Sequence, residues 1–188
     1  MQKGKNQKKG KITRDIELPS DVSAFLDNGF LLIKGPKGEV KIGSKQRNVV
    51  IKIENKKITI ESKSGTKVDK KIIGSVVAHI KNMIKGSLQK HTYILKICSG
   101  HFPMSVSATG NKFIVKNFLG EKVPRVLQLK DGADVKVEGD LIYVTSPNKE
   151  IAGQISADIE QLTRRPGYDS RIFQDGCYII SKTGKELK

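Results

Sequence analysis

The sequence predicts an α+β fold of two tandem duplicated domains, each an antiparallel sheet packed with one main helix. Three observations lead there. Short stretches alternate apolar and polar residues, two stretches carry apolar residues at helical spacing, and both kinds recur in the same order in the two halves of the 188-residue chain. Residues 52–62 (KIENKKITIES) return 84 residues later as 136–146 (KVEGDLIYVTS). Residues 72–83 (IIGSVVAHIKNM) return at an offset of 79 as 151–162 (IAGQISADIEQL), and Ile33-Lys34 with Gly38-Glu39 returns at an offset of 82 as Val115-Lys116 with Gly120-Glu121.

In chain order, residues 1–14 hold six Lys/Arg and no acid among Gly and Gln, which marks a basic arm too polar to fold alone. The first repeat follows at 15–88. Its Ile53, Ile58 and Ile60 alternate around a turn at Asn55-Lys56, a hairpin pattern, and Ile72, Val76, Ile80 and Met83 share one helical face. The polar stretch 86–91 reads as the joint. The second repeat, 89–188, repeats the hairpin with Val137, Ile142 and Val144 around Gly139-Asp140, and the helix with Ile151, Ile155, Ile159 and Leu162. Residues 164–188 have no counterpart in the first copy, which makes them a candidate for function.

Composition narrows the class of activity. Thirty-five Lys plus Arg against 19 Asp plus Glu give a formal charge of +16 and a pI near 9.8, the balance of a polyanion binder. The charge is spread as +6 over residues 1–14, +7 over 15–90 and +3 over 91–188. Cys98 and Cys177 are too few for a secreted disulfide scaffold, no Asn-x-Ser/Thr acceptor occurs, and no apolar run approaches the ~20 residues of a membrane span, so a cytoplasmic protein without membrane contact is expected. Nucleotide loops, zincin, hydrolase-elbow and paired CxxC motifs are missing. Cys98 near His101 does not amount to a catalytic pair, and His91, Cys98 and His101 lack a fourth ligand at metal spacing. No enzyme, metal, cofactor or small-molecule substrate is expected.

What remains suits RNA. Lys34-Gly35-Pro36-Lys37-Gly38 and the run from Lys116 through Asn117, Phe118, Leu119, Gly120 and Glu121 to Lys122 set glycine beside cations, so backbone and charge can both approach a phosphate. Phe118 either stacks on a base or fills a gap under its loop. The last segment is denser: Arg164-Arg165-Pro166-Gly167-Tyr168, then Asp169, Arg171, Phe173, Asp175-Gly176 and Tyr178. Arginine grips phosphate and stacks, aromatics stack, and Asp anchors a neighbouring Arg or a turn, a combination fitting structured RNA better than duplex DNA. Neither helix looks like a base-reading helix.

These residues also resemble a known family. Residues 169–178 (DSRIFQDGCY) are similar to the Asp-Arg-Arg-x-Phe-x-Asp-Gly-x-Tyr ending of the archaeal and eukaryotic large-subunit ribosomal protein L-six family, called L-nine in eukaryotes. Residues 80–86 (IKNMIKG) resemble the helix end of its first domain, and His101-Phe102-Pro103 with the 117–122 run resembles its second-domain signature. The resemblance implies a non-enzymatic structural protein of the large ribosomal subunit, attached to large-subunit rRNA near the factor-binding side and beside neighbouring ribosomal proteins. It further implies that the second domain and tail carry the main RNA contacts: Lys116, Asn117, Phe118, Gly120, Glu121 and Lys122, with Asp169, Arg171, Phe173, Asp175, Gly176 and Tyr178. Ser170 stands where the family has a second Arg, so a phosphate contact is expected to have moved to Arg164 or Arg165, next to Tyr168. The alternative is a free RNA-binding protein or RNA chaperone using the same basic surfaces.

Overall fold

A computed structural model describes residues 11–44, 48–54, 56–169 and 171–187. The chain forms two compact units, Met1–Gln89 and Lys90–Lys188. Most of the basic arm and Asn55 of the first expected turn lie outside the described residues.

The first unit runs β1 (Thr13–Glu17), β2 (Ser23–Asp27), β3 (Phe30–Gly35), β4 (Gly38–Gly43), β5 (Val49–Glu54), β6 (Lys57–Ser62) and α1 (Lys67–Leu88). Its strands form two antiparallel sheets, ordered β1-β6-β5 and β2-β3-β4, where one sheet was expected. Both lay their apolar faces against α1, so Leu31 and Ile33 from one sheet and Ile58 and Ile60 from the other join Ile73 and Ile80 in one core. The helical stripe is centred one residue from the expected position, since Ile73 is 2% exposed while Ile72 and Val76 are half-buried. Thr66 and Asp69 close a reciprocal capping box at the N-terminus of α1, and hydrogen bonds from Ser64 first, then Thr66 and Ser62, hold the Asp69 carboxyl down to about 2. Thr13 and Arg14, grouped above with the arm, pair with Glu61 and Ile60 on β6.

The expected joint is shorter than 86–91, because α1 continues through Leu88 and Gly86 and Ser87 are buried. The 34–38 turn explains this. Lys37 N–H donates to Ser87 O at 2.9 Å, and a Cβ on Gly35 would sit 2.8 Å from the same oxygen. Gly35 therefore serves an internal contact, capping the end of α1.

The second unit repeats the plan: β7 (His91–Cys98), β8 (Ser105–Thr109), β9 (Lys112–Lys116), β10 (Arg125–Gln128), β11 (Asp134–Glu138), β12 (Leu141–Ser146) and α2 (Lys149–Leu162). The β10-β9-β8 sheet corresponds to β2-β3-β4, and β7-β12-β11 to β1-β6-β5. Two differences matter. The tight Gly35/Gly38 hairpin becomes a longer connection carrying a 3-10 turn at Phe118–Gly120. Two further strands, β13 (Gly176–Lys182) and β14 (Lys185–Glu186), extend the second sheet on the β7 side. The core gathers Leu95, Phe113, Val115, Ile142, Val144, Ile155 and Ile159, with Ala152 also buried where the expected stripe had only Ile151.

Candidate nucleic-acid interface

The site is built where α2 ends. Thr163 caps the helix, donating its hydroxyl to Glu160 O at 3.2 Å and accepting the Cys177 N–H at 2.9 Å, so the helix end is fastened to the start of β13. Gly176 makes this approach possible: its φ is +150, and a Cβ there would meet Thr163 Oγ1 at 3.2 Å.

Asp175 secures the other side. Only 6% exposed, it accepts the Gly100 N–H at 2.7 Å and the His101 N–H at 3.0 Å on Oδ1, while Oδ2 lies 2.5 Å from His101 Nδ1. Burial pushes its carboxyl up, but the bonds from His101 and Gly100 outweigh that and hold it below the usual range. The His101 ring is thereby oriented to stack on Phe173, with centroids 4.8 Å apart, and Phe173 meets Tyr168 edge-on at 4.9 Å. The Arg165 guanidinium lies 4.8 Å over Tyr168.

The 3-10 connection completes the wall. Asn117 and Leu119 have φ of +58 and +47, sparsely populated for side-chain-bearing residues, and Gly120 has +77. Arg125 holds this backbone in place: Nε donates to Glu121 Oε2 at 2.8 Å, Nη2 to Oε1 at 2.7 Å, and Nη1 to Leu162 O at 2.6 Å, with the guanidinium 4.3 Å over the Phe118 ring. Glu121 also accepts from Arg165 Nη1 at 2.7 Å. The Arg125 bond above all, with both arginine charges, keeps its carboxyl below its ordinary value. One linked series thus runs from Asp175 through His101, Phe173, Tyr168, Arg165 and Glu121 to Arg125. It frames a cleft of about 530 Å³ lined by Phe118, Arg164, Arg165, Tyr168, Phe173, Asp175 and Tyr178, among others.

Placed on this frame, the expected contact residues divide. Arg164, Tyr168 (46% exposed) and Tyr178 (40%) present accessible charge or aromatic surface at the cleft. Lys116, Asn117, Gly120 and Lys122 are exposed on the connection outside the cleft lining, where Asn117 Nδ2 donates to Pro103 O at 3.0 Å. Arg171 is exposed and forked onto Asp169, whose carboxyl it holds low. Ser170 lies outside the described residues. Phe118 is a correction to base stacking: at 1% exposure its ring belongs to the core under the loop. Glu121, Asp175 and Gly176 hold the frame and present little to a ligand.

Sequence reasoning missed Arg125 altogether, and met His101 as a weak partner for Cys98, as an incomplete metal ligand and as part of the 101–103 signature, but not as the partner of Asp175. His101 is engaged with Asp175 and Phe173 instead, and burial pushes the Cys177 thiol up to about 12. A signal for Arg125 existed in the Glu121–Arg125 spacing, but only the loop's geometry reveals what it joins.

The comparisons with known proteins agree with this architecture. The family described as Ribosomal protein L6 matches the chain twice, over residues 18–89 and 102–176. The large ribosomal subunit protein uL6 of Methanococcus vannielii is 42% identical over 94% of this chain and 97% of its own length. Proteins of the same name from Methanobrevibacter smithii and Methanosarcina mazei are 40% and 38% identical over 91% of this chain, and over 96% and 97% of their own lengths.

Proposed function

Because the chain belongs to the ribosomal protein L6 family, a family of structural, non-enzymatic proteins, we propose that it is held in the large ribosomal subunit by large-subunit rRNA seated in the second unit's cleft. The chain is a structural component of that subunit. Its partners are large-subunit rRNA near the factor-binding side and neighbouring ribosomal proteins, its place is the cytoplasmic ribosome, and its role is to support translation. In this reading the first repeat, expected at 15–88, also takes in Thr13 and Arg14 from the end of the expected arm, and 89–188 is the RNA-binding repeat with its tail.

The observation that carries the proposal is the convergence of Arg164, Arg165, Tyr168 and Tyr178 on one cleft whose walls are already tied together. A cleft ordered in advance spends little of its binding energy on arranging its own side chains. Arginines there neutralise phosphates while the aromatic edges accept unstacked bases. Arg165 and Arg171 each have an acidic partner, so Arg164 is the residue expected to give its full charge to phosphate.

The test is sedimentation of tagged protein from lysate through a sucrose gradient after a high-salt wash, for the native chain and for Arg164→Ala and Arg171→Ala. Salt-resistant migration of the native chain with large subunits, and earlier release of the variants, is the expected result. Release of the native chain to the top of the gradient would overturn the proposal in favour of a transient RNA binder.

A further inference from the structure

We infer that the outer face of α1 in the first unit is a second RNA-binding surface, one that grips the phosphate backbone of double-helical RNA. It goes beyond the second unit's cleft and rests on residues that the cleft does not use.

Lys67, Lys71, Gly74, Ala78, Lys81 and Lys85 recur every three or four residues, so all six fall on one stripe of the helix, opposite Ile73, Ile80 and Met83. All six are exposed. The stripe is about 27 Å long at 1.5 Å per residue, with a lysine pair at each end and a lysine-free stretch of about 15 Å between Lys71 and Lys81. Among the described residues none of the four lysines is in an ion pair. Asp69 is the only acid on α1, and it is buried and spent on Thr66, Ser62 and Ser64. The outward charge of this helix is therefore purely positive.

The duplication supplies an internal control. The same helix in the second copy, α2, carries Lys149 against Glu150, Asp158 and Glu160. The fold of this repeat thus does not require a cationic helix, and the positive face is a property of the first copy alone.

Gly74 is the second, independent observation. Glycine weakens a helix interior more than any residue but proline, so it normally answers a close contact. Its counterpart Gly153 has one, since a Cβ there would meet the Tyr93 hydroxyl at 3.3 Å. A Cβ on Gly74 would meet nothing within 4 Å. The space saved at Gly74 and Ala78 faces outward, and flanking lysine pairs with a low middle are the shape a ridge of phosphates fills. Backbone contacts of this kind read shape and charge, as duplex RNA is generally read.

The test uses the full chain and an RNA duplex of about two helical turns, with binding followed by fluorescence anisotropy over a range of salt. Lys67, Lys71, Lys81 and Lys85 are changed together to Gln, and a control of equal charge changes the exposed Lys41, Lys56, Lys63 and Lys136 to Gln. The stripe variant is expected to flatten the salt slope by roughly three to four units, near 0.9 per phosphate, and the control by at most one. The four Lys→Arg changes should keep the slope, and Gly74→Leu with Ala78→Leu should weaken binding at least tenfold with charge unchanged and helix content intact by circular dichroism. An unchanged slope in the stripe variant, or an equal loss in the control, overturns the inference. Arg164→Ala on the same probe reports the cleft alone, so failure there is read separately.

Discussion

Arg125→Ala should cost the second unit about 2–3 kcal/mol. The side chain is about a quarter exposed, so its fork onto Glu121 is worth at most about 1 kcal/mol. The guanidinium over Phe118 adds about 1 kcal/mol. The bond to Leu162 O at 2.6 Å, a charged donor satisfying a carbonyl of the last turn of α2, adds about 1 kcal/mol more. Arg125→Lys restores one donor and the charge but not the fork, so it should recover about half. The assay is urea unfolding of the full chain with a probe in each unit, since the units need not unfold together. Only the second unit's midpoint should fall. A loss below about 0.5 kcal/mol, or complete recovery by Lys, would refute the view that Arg125 holds the 3-10 connection to the helix end.

Four further outcomes are expected. The Asp175 and Glu121 carboxyls are held below their unfolded values, so their stabilisation is present above roughly pH 4 and is lost as pH falls through the folded values. Asp175→Asn should flatten the acid limb of a stability-against-pH curve for the second unit, and an unchanged limb would count against it. Gly74→Ala should stabilise the first unit by about 0.5–1 kcal/mol in chemical unfolding, because a Cβ there meets nothing. Gly35→Ala should destabilise the same unit by about 1–3 kcal/mol by driving the 34–38 turn off Ser87. Cys98→Ser, at a half-buried position with no catalytic partner, should shift stability by no more than about 0.5 kcal/mol and leave sedimentation with large subunits unaltered.

The duplication was legible because it is written in periodicity. Alternation in residues 57–62 and 141–146, and the three-and-four spacing of Ile151, Ile155, Ile159 and Leu162, are local patterns that packing then obeys. Asn28-Gly29 between β2 and β3, with φ of +47 and +80, is an equally local hairpin signal that the sequence reading passed over. The division of each unit's strands into two sheets was not legible, because strand pairing depends on partners distant in the chain. The tail's residue types pointed to the cleft, but their division of labour did not show. The family resemblance makes Glu121 and Asp175 ligand contacts, whereas in the structure they are internal acceptors for Arg125, Arg165 and the 100–101 backbone, the anchoring role that residue type alone offered for Asp175. Phe118 misled for a related reason: flanked by polar residues, it reads as a loop aromatic, whereas the left-handed backbone on either side turns its ring inward. The charge of α1 was countable, but its confinement to one stripe required the helix limits and the burial of Asp69.

The position of β13 sets an order of events during synthesis. Its partner β7 is the first strand of the second unit to be made, yet β7 has one flank covered only when residues 176–182 arrive. The first unit draws no strand from beyond residue 62 and can close while later residues are still being added. The second unit must wait, and the cleft waits with it, since Phe173, Asp175 and Tyr178 are translated only after α2. A chain interrupted before them would carry a finished first half and an open sheet edge in the second. Under the function proposed above, the cleft becomes able to receive RNA only once β13 has been made, well after the first unit has all its strands.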